Sequence, residues 1–440
     1  MTDRPRILLI AEAANPEWVS VPLVGWSLAT ALRRVADVHL VTQVRNREAI
    51  LRAGLVEGRD FTAIDSEALA RPIWRLASVL RMGEGKGWTT VQAIGALSYP
   101  YFEHLVWKAF GTRIAAADFD VVHRVTPLSP TLASPIAAKC RRVGVPFVVG
   151  PLNGGVPWPP GFDADRRRER EWLSYLRSFY KLLPGRSATL GGGAVIVGSR
   201  HTESEVPERF RQRCVYIPEN GIDPTRFSKR ARHEPGPLRA CFIGRMVAYK
   251  GPDMLLEAAT PLLLDGRMTL EMIGDGPMLA DLVARAAAAE LAPAVRFHGW
   301  LPHAEVQNVA AACTALTFPS IREFGGGVVL EAMAMGLAPV IVDYAGPGEL
   351  VSAGTGFTIP LGRRPEIVRA LRATLERLAG DPVAVARAGA AARARVEALF
   401  TWDRKAEQIA RVYDWVLRDR AAGILPSGAA RPLAVPQPSF

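Results

Sequence analysis

The chain has 440 residues, 49% of them hydrophobic, and a formal net charge of +11 at pH 7. That is too long for one ordinary domain and apolar enough for two buried cores. Cys140, Cys214, Cys241 and Cys313 have no paired spacing, which argues against a disulfide framework or a zinc site and fits a reducing compartment, and no run of about 20 apolar residues reads as a membrane span.

The first predicted strand covers 7–11, directly after Arg4-Pro5-Arg6; its apolar run is too short for a signal peptide, so a cytoplasmic location is expected. An amphipathic helix over 21–35 leads to a strand over 38–42. A helix-rich stretch over 88–117, interrupted near Pro100, precedes strands over 121–125, 146–150, 195–199 and 215–218. The turn-rich joint Glu219-Asn220-Gly221-Ile222-Asp223-Pro224 and a polar, Pro-containing stretch to Pro237 separate the halves. The pattern then restarts, with strands over 240–244, 269–274, 295–299, 316–319 and 339–343 and helices such as 252–264 and 278–289 between them. A last amphipathic helix covers 402–420, and the tail 421–440, with Gly, Ser and four prolines, reads as disordered. Strands alternating with helices signal parallel sheets, so the expected fold is α/β: two doubly wound, Rossmann-like domains facing each other across a cleft, with ligand loops at the carboxyl ends of both sheets.

The richest segment runs from Pro319-Ser320-Ile321-Arg322-Glu323-Phe324 through Gly325-Gly326-Gly327 to Glu331-Ala332-Met333-Ala334-Met335-Gly336. It sets two carboxylates eight positions apart across a glycine turn that opens a helix. Free backbone N–H groups at such a turn suit a phosphorylated or polyhydroxyl ligand, and an ionised carboxylate accepts strong hydrogen bonds from sugar or ribose hydroxyls. By itself the segment is also good helix sequence, with a Glu favoured near a helix start by the macrodipole. Gly244-Arg245-Met246-Val247-Ala248-Tyr249-Lys250-Gly251 ends the first strand of the second half, and its Arg and Lys, five apart, can place two cations on one diphosphate. Alone it reads as a solvated basic loop. Gly274-Asp275-Gly276-Pro277 ends the next strand and opens another helix.

Taken in series, these residues resemble the retaining glycosyltransferases of family 4, which have the GT-B fold. The resemblance rests on Asn220-Gly221-Ile222-Asp223, Gly244-Arg245 with Lys250-Gly251, Gly274-Asp275-Gly276, Phe297-His298-Gly299 and the Glu323-to-Glu331 element, over about 220–343. It implies a nucleotide diphosphate sugar bound by the second domain and an acceptor bound mainly by the first. Arg245 and Lys250 would hold the diphosphate and stabilise the leaving group without a metal or cofactor. Glu331 would hold the ribose, and Glu323 the sugar hydroxyls, with the Gly325 and Gly326 amides nearby. The base would rest against the loop of Gly299, Trp300 and Leu301. The family's usual Glu-Gly-Phe-Gly is here Glu323-Phe324-Gly325-Gly326, which leaves donor-sugar preference open. The family's glycine pair after the first strand is absent, and Gly25 is assigned in its place. The resemblance also implies that helix 402–420 crosses back, giving domains of 1–218 plus 402–420, and of 219–401.

In the first half the resemblance places His123, at a strand end, close to the donor sugar, although a lone histidine there is often structural. Asn153 and Gly154, in the glycine-rich Gly150-Pro151-Leu152-Asn153-Gly154-Gly155, meet the acceptor or sugar, or only make a tight turn. Residues 166–183 alternate arginines with Trp172, Leu173, Leu176, Phe179, Tyr180 and Leu183, the profile of a helix lying in an anionic membrane interface or packing on the first domain. The positive charge favours polyanions, but no nucleic-acid-binding motif accompanies it. The expected activity is therefore transfer of a sugar from a UDP- or GDP-sugar to a polysaccharide or lipid-linked glycan, at the inner face of the cell membrane if the basic helix binds it. Two rivals remain at this point: a sugar-nucleotide epimerase of the same fold, and a non-catalytic nucleotide- or glycan-binding partner.

Overall fold

The computed structural model of the protein describes residues 4–67, 88–163, 166, 185–234 and 236–424, the stretch 88–97 by its backbone alone. The basic helix expected over 166–183 and most of the tail lie outside the described residues. The chain divides into two compact units. The first comprises Met1–Gly155, Glu169–Glu219 and Trp402–Phe440; the second comprises Val156–Arg168 and Asn220–Thr401.

The first unit carries a parallel sheet of seven strands: β1 (Arg6–Ala11), β2 (Asp37–Gln43), β3 (Phe61–Ile64), β4 (Val121–Thr126), β5 (Phe147–Leu152), β6 (Gly193–Val197) and β7 (Cys214–Tyr216). Their order is β3-β2-β1-β4-β5-β6-β7, so the sheet reverses direction of growth between β1 and β4. Both faces are covered, which is why the strands read as continuous apolar runs rather than alternating ones. Ile7, Leu9 and Ala11 join one core cluster with Leu28, Tyr413 and Trp415, while Leu8 and Ile10 join the other with Phe102, Val106 and Cys140. Numbering helices of eight or more described residues, the first face is covered by α1 (Val21–Leu32) and the second by α2 (Trp88–Ala115) and α3 (Pro135–Arg142). Helix α2 runs unbroken through Pro100, against expectation. A proline removes only one rung of the ladder, and burial of Tyr99, Phe102 and Val106 along the same helix outweighs it.

The second unit carries six parallel strands: β8 (Leu238–Ile243), β9 (Met268–Ile273), β10 (Val295–Gly299), β11 (Ala315–Phe318), β12 (Ala338–Val342) and β13 (Phe357–Ile359). The order β10-β9-β8-β11-β12-β13 puts the reversal between β8 and β11. Its helices are α4 (Pro252–Leu264), α5 (Leu279–Ala288), α6 (His303–Ala311), α7 (Gly327–Ala334), α8 (Arg364–Ala379) and α9 (Pro382–Leu399). The last helix, α10 (Trp402–Ala421), belongs to the first unit. It buries Tyr413, Trp415 and Val416 there, and its buried Lys405 donates to the Pro218 carbonyl. Burial pushes the Lys405 ammonium down to about 7, against the pull of Glu219.

Two boundaries differ from the sequence reading. The crossover falls after Glu219 rather than Pro218, and Val156–Arg168 leaves the first unit for the second. The second difference has a local cause: Val156 and Phe162 are buried, and the Val156 and Pro157 carbonyls accept hydrogen bonds from Arg322 Nε (3.2 Å) and the Tyr344 hydroxyl (3.0 Å).

His123 is a correction as well. It is fully buried, with Nδ1 2.7 Å from the Tyr413 hydroxyl and Nε2 2.8 Å from the Gly150 carbonyl. Both ring nitrogens are committed to the fold, so the ring fastens α10 to the sheet and offers no atom to a sugar. The carbonyl can only accept, which makes Nε2 the protonated nitrogen and the Tyr413 hydroxyl the donor to Nδ1. Burial pushes this imidazole down to about 4, although the Gly150 bond opposes it. Gly25 also serves packing: a Cβ there would lie 2.1 Å from the Ala13 carbonyl oxygen and 3.3 Å from Thr126 Cγ2. The bare glycine lets α1 close on the loop after β1, which Thr126 holds by hydrogen bonds of 3.0 Å to both the N–H and the carbonyl of Ala13.

Two outcomes follow. Gly25→Ala lowers stability by about 1–3 kcal/mol in urea unfolding, because the overlap is with backbone that cannot swing away. Below the ordinary histidine value of 6.5 the unfolded chain takes up a proton that folded His123 refuses down to about 4. The contribution of His123 is therefore full above that window and lost as pH falls through it, with a limiting slope of about 1.4 kcal/mol per pH unit. Unfolding curves at several pH values in this window, compared with His123→Asn, read that slope directly.

Candidate functional site

Four loops at the carboxyl ends of β8, β9, β10 and β11 build the site, and glycines let three of them stack. A Cβ on Gly274 would lie 2.0 Å from the Gly244 carbonyl oxygen, and one on Gly276 would lie 2.6 Å from that of Met246. Met246 N–H donates to the Asp275 carbonyl (2.8 Å) and Gly274 N–H to the Gly299 carbonyl (2.8 Å). The sequence motifs around 244, 274 and 299 are thus one continuous backbone surface.

Lys250 and Glu323 meet across the β8–β11 switch point, Nζ to Oε2 at 2.7 Å, with side-chain exposures of 17% and 20%. Open doubly wound sheets bind ligands at this topological position, because adjacent loops leave in opposite directions there. Gly251, at φ 70°, turns the chain from the Lys250 loop into α4; a Cβ would strike the Pro319 carbonyl oxygen at 2.6 Å. The two loops are also tied by backbone, since the Tyr249 carbonyl accepts from Ile321 N–H (2.9 Å) and the Ser320 hydroxyl (3.2 Å). Lys250 Nζ lies 5.0 Å from the centre of the Phe318 ring. Burial pulls the Lys250 ammonium down, but the charge and hydrogen bond of Glu323 more than offset it, so the net shift is upward and Lys250 stays cationic.

Beyond Glu323 the chain enters α7 through Gly326 at φ 59°, with Gly325 and Gly326 both buried. Gly346 allows this turn to sit down, since a Cβ there would be 2.1 Å from the Phe324 carbonyl oxygen. The turn presents the first backbone N–H groups of α7, a position suited to a phosphate or a sugar oxygen. Glu331 follows a turn later, and its Oε1 lies 3.7 Å from His303 Nε2, at the head of α6. From the end of β10 towards α6 run Gly299 at φ 64°, Trp300, which is 73% exposed, and the partly buried Leu301. No atom would meet a Cβ on Gly299 within 4 Å, so the space beside this loop is open. Arg245 is exposed on the loop after β8.

The second unit therefore gathers Lys250 with Glu323, and Glu331 beside the loop that leads from Gly299 into α6. Asn153 and Gly154 sit in the first unit with their polar atoms engaged there. Asn153 Nδ2 donates to Glu219 (2.6 Å), its Oδ1 accepts from Gly154 N–H (2.7 Å) and the Ser199 hydroxyl (3.1 Å), and the Gly154 carbonyl accepts from the Thr202 hydroxyl (3.3 Å). These bonds fix the turn. Sequence reasoning missed His303, Arg322 and Trp158. For His303 the signal was its place at a helix start directly after the Gly299 loop; for the other two none was readable. Among the described residues no three His, Cys, Asp or Glu side chains come together as a set that would hold a metal ion.

The α/β fold agrees with the comparisons. Residues 224–393 match the family described as glycosyl transferases group 1. The chain is 30% identical over 283 residues to the 2-deoxystreptamine glucosyltransferase of Streptomyces kanamyceticus, spanning 61% of this chain and 70% of that one. It is 32% identical over 226 residues to a glycogen synthase of Mycobacterium tuberculosis, spanning 50% of this chain and 53% of that one. Among solved structures, Anabaena HepE in complex with UDP and glucose superposes with a TM-score of 0.57 at 15% identity, over 93% of this chain and 99% of that one. A glycosyltransferase from Rickettsia africae gives a TM-score of 0.61 at 14% identity, over 94% and 99%. The fold is GT-B, and the chain belongs to the group 1 glycosyltransferases.

The turn into α7 makes one requirement testable. Gly326→Ala must hold a Cβ at φ 59°, 2.9 Å from Leu350 Cδ1, and is expected to cost about 1–3 kcal/mol in urea unfolding. An unchanged midpoint would show that the turn relaxes freely.

Proposed function

We propose that this glycosyltransferase is retaining and metal-independent, and that it moves a sugar from a UDP- or GDP-sugar to a polysaccharide or lipid-linked glycan. The observation that carries the reading is the Lys250–Glu323 pair at the switch point of the second unit, beside the N-terminus of α7. In the reaction the bond from the sugar's anomeric carbon to the diphosphate breaks. A bond to the acceptor oxygen forms on the same face, and the acceptor's proton passes to the departing phosphate oxygen. Charge grows on that phosphate, and Lys250 and Arg245 are the groups to stabilise it. Such stabilisation is strongest from a cation already fixed in a partly dry site, as Lys250 is. Glu323, released from Lys250 by the incoming diphosphate, can accept from the sugar hydroxyls, with the Gly325 and Gly326 N–H groups beside it. Glu331 accepts from the ribose hydroxyls, and the base lies along Gly299, Trp300 and Leu301. His123 has no part in these steps.

The acceptor assignment rests on the first unit, whose glycine-rich turn and β1 loop lie at the carboxyl ends of their strands. Among the described residues no helix is long and apolar enough to cross a membrane. A lipid-linked acceptor would then be met from the membrane surface.

Thermal unfolding with UDP, GDP, ADP or TDP, each with and without Mg²⁺, tests the donor site. The matching nucleotide at about a hundred times its Kd should stabilise the wild type by about 2.7 kcal/mol. The shift should not need Mg²⁺, should vanish in Lys250→Ala, and should require about 10- to 100-fold more nucleotide in Glu331→Ala, the loss of one charge-assisted hydrogen bond. No shift from any nucleotide, or a full shift in Lys250→Ala, overturns the assignment.

A further inference from the structure

Arg322 is only 5% exposed, unusual for an arginine, and it immediately precedes Glu323. Its guanidinium carbon lies 5.3 Å from the centre of the Trp158 ring and 5.4 Å from that of Phe324, and its Nε donates to the Val156 carbonyl at 3.2 Å. Trp158 in turn meets Tyr249, the residue before Lys250, edge to face with centroids 6.0 Å apart. The Tyr344 hydroxyl secures the same segment through the Pro157 carbonyl. One short strap thus contacts the immediate neighbour of each member of the Lys250–Glu323 pair. A surface strap that only covered apolar area would need neither the buried cation nor the two rings.

We propose that Trp158 and Arg322 are positioning residues: the strap around Val156–Phe162 clamps the loops after β8 and β11 so that Glu323 is held against Lys250 and poised for the donor sugar. The donor-sugar part of this rests on the function proposed above; the clamp itself does not. A planar guanidinium fixed against rings and by a directed hydrogen bond has little freedom, and it fixes the backbone of the next residue with it. Displacing a reacting group by about 1 Å can cost on the order of a hundredfold in rate. The clamp is therefore expected to act on turnover more than on nucleotide affinity, since Lys250 is the one nucleotide contact it holds and the ribose and base positions around Glu331 and Trp300 lie outside it.

The test is amine acylation with isotopically labelled acetic anhydride at mildly alkaline pH, read at Lys250 by mass spectrometry on the full-length protein. Buried Lys405 serves as the folding control. Trp158→Ala and Arg322→Lys should each raise Lys250 labelling several-fold while Lys405 stays protected, and Trp158→Phe should bring it back towards wild type. If Lys405 becomes labelled in Trp158→Ala, that variant has opened globally and Arg322→Lys decides. Wild-type labelling of Lys250 in Arg322→Lys, with Lys405 protected, overturns the clamp. In parallel, hydrolysis and transfer of UDP- and GDP-sugars should show kcat about ten- to a hundredfold lower in Trp158→Ala, a larger factor than its loss of nucleoside diphosphate affinity. If the wild type turns over none of these sugars, the functional reading fails while the labelling still judges the clamp.

Discussion

The parallel sheet of the second unit imposes the constraint on which the site depends. Every crossover between parallel strands must run over a face of the sheet, so successive loops emerge at the same edge. Where the strand order turns back, between β8 and β11, the two loops depart to opposite faces and cannot fill the space between them. Lys250 comes from one of these loops and Glu323 from the other. Their charges, three-quarters or more shielded from water, meet there because the topology leaves that position open and the glycines at 244, 251, 274 and 276 let the backbones close around it.

Much of this was legible beforehand, for a physical reason. Strands buried on both faces announce themselves as apolar runs, and the glycines mark backbone approaches that no other residue allows. The carbonyl of Gly244 beside Gly274 is such a case: the motif is readable because it encodes an excluded Cβ. The strands that escaped notice, β3 and β13, have four and three residues and close the sheets at their edges, where little burial leaves little pattern. Pro100 misled for the complementary reason. Local propensity signals a break, and only the buried side chains of the same helix show that tertiary packing overrides it.

The site residues divide along the same line. Lys250, Glu323, Glu331 and the Gly299 loop, which the structure places on loops and helix starts at one edge of the second sheet, were readable because each belongs to a short contiguous motif. His123 and Gly25 sit at equally suggestive sequence positions, yet their partners, Tyr413 and Ala13, lie far away or across a packing contact that spacing does not encode. The family resemblance singled out His123 as a strand end; the structure places it within β4, where its ring joins Tyr413 to the Gly150 carbonyl. Arg322 and Trp158 are 164 positions apart, and nothing in either local sequence announces the other.

The Lys250–Glu323 pair has an energetic logic that also accounts for its surroundings. A lysine placed to receive a diphosphate would, when the site is empty, be a half-buried charge with no counterion, a costly state. Glu323 supplies the counterion at 2.7 Å, and the same carboxylate is the group suited to sugar hydroxyls once a diphosphate takes its place. On the function proposed above, donor binding would be an exchange of ion-pair partners rather than the desolvation of a bare ammonium. An exchange of this kind selects for a ligand bearing both parts, a diphosphate for Lys250 and hydroxyls for the displaced Glu323. A nucleotide alone would satisfy the first and leave the second carboxylate half-buried without its partner. On that reading, part of the binding energy of the complete donor would be tied to the presence of its sugar.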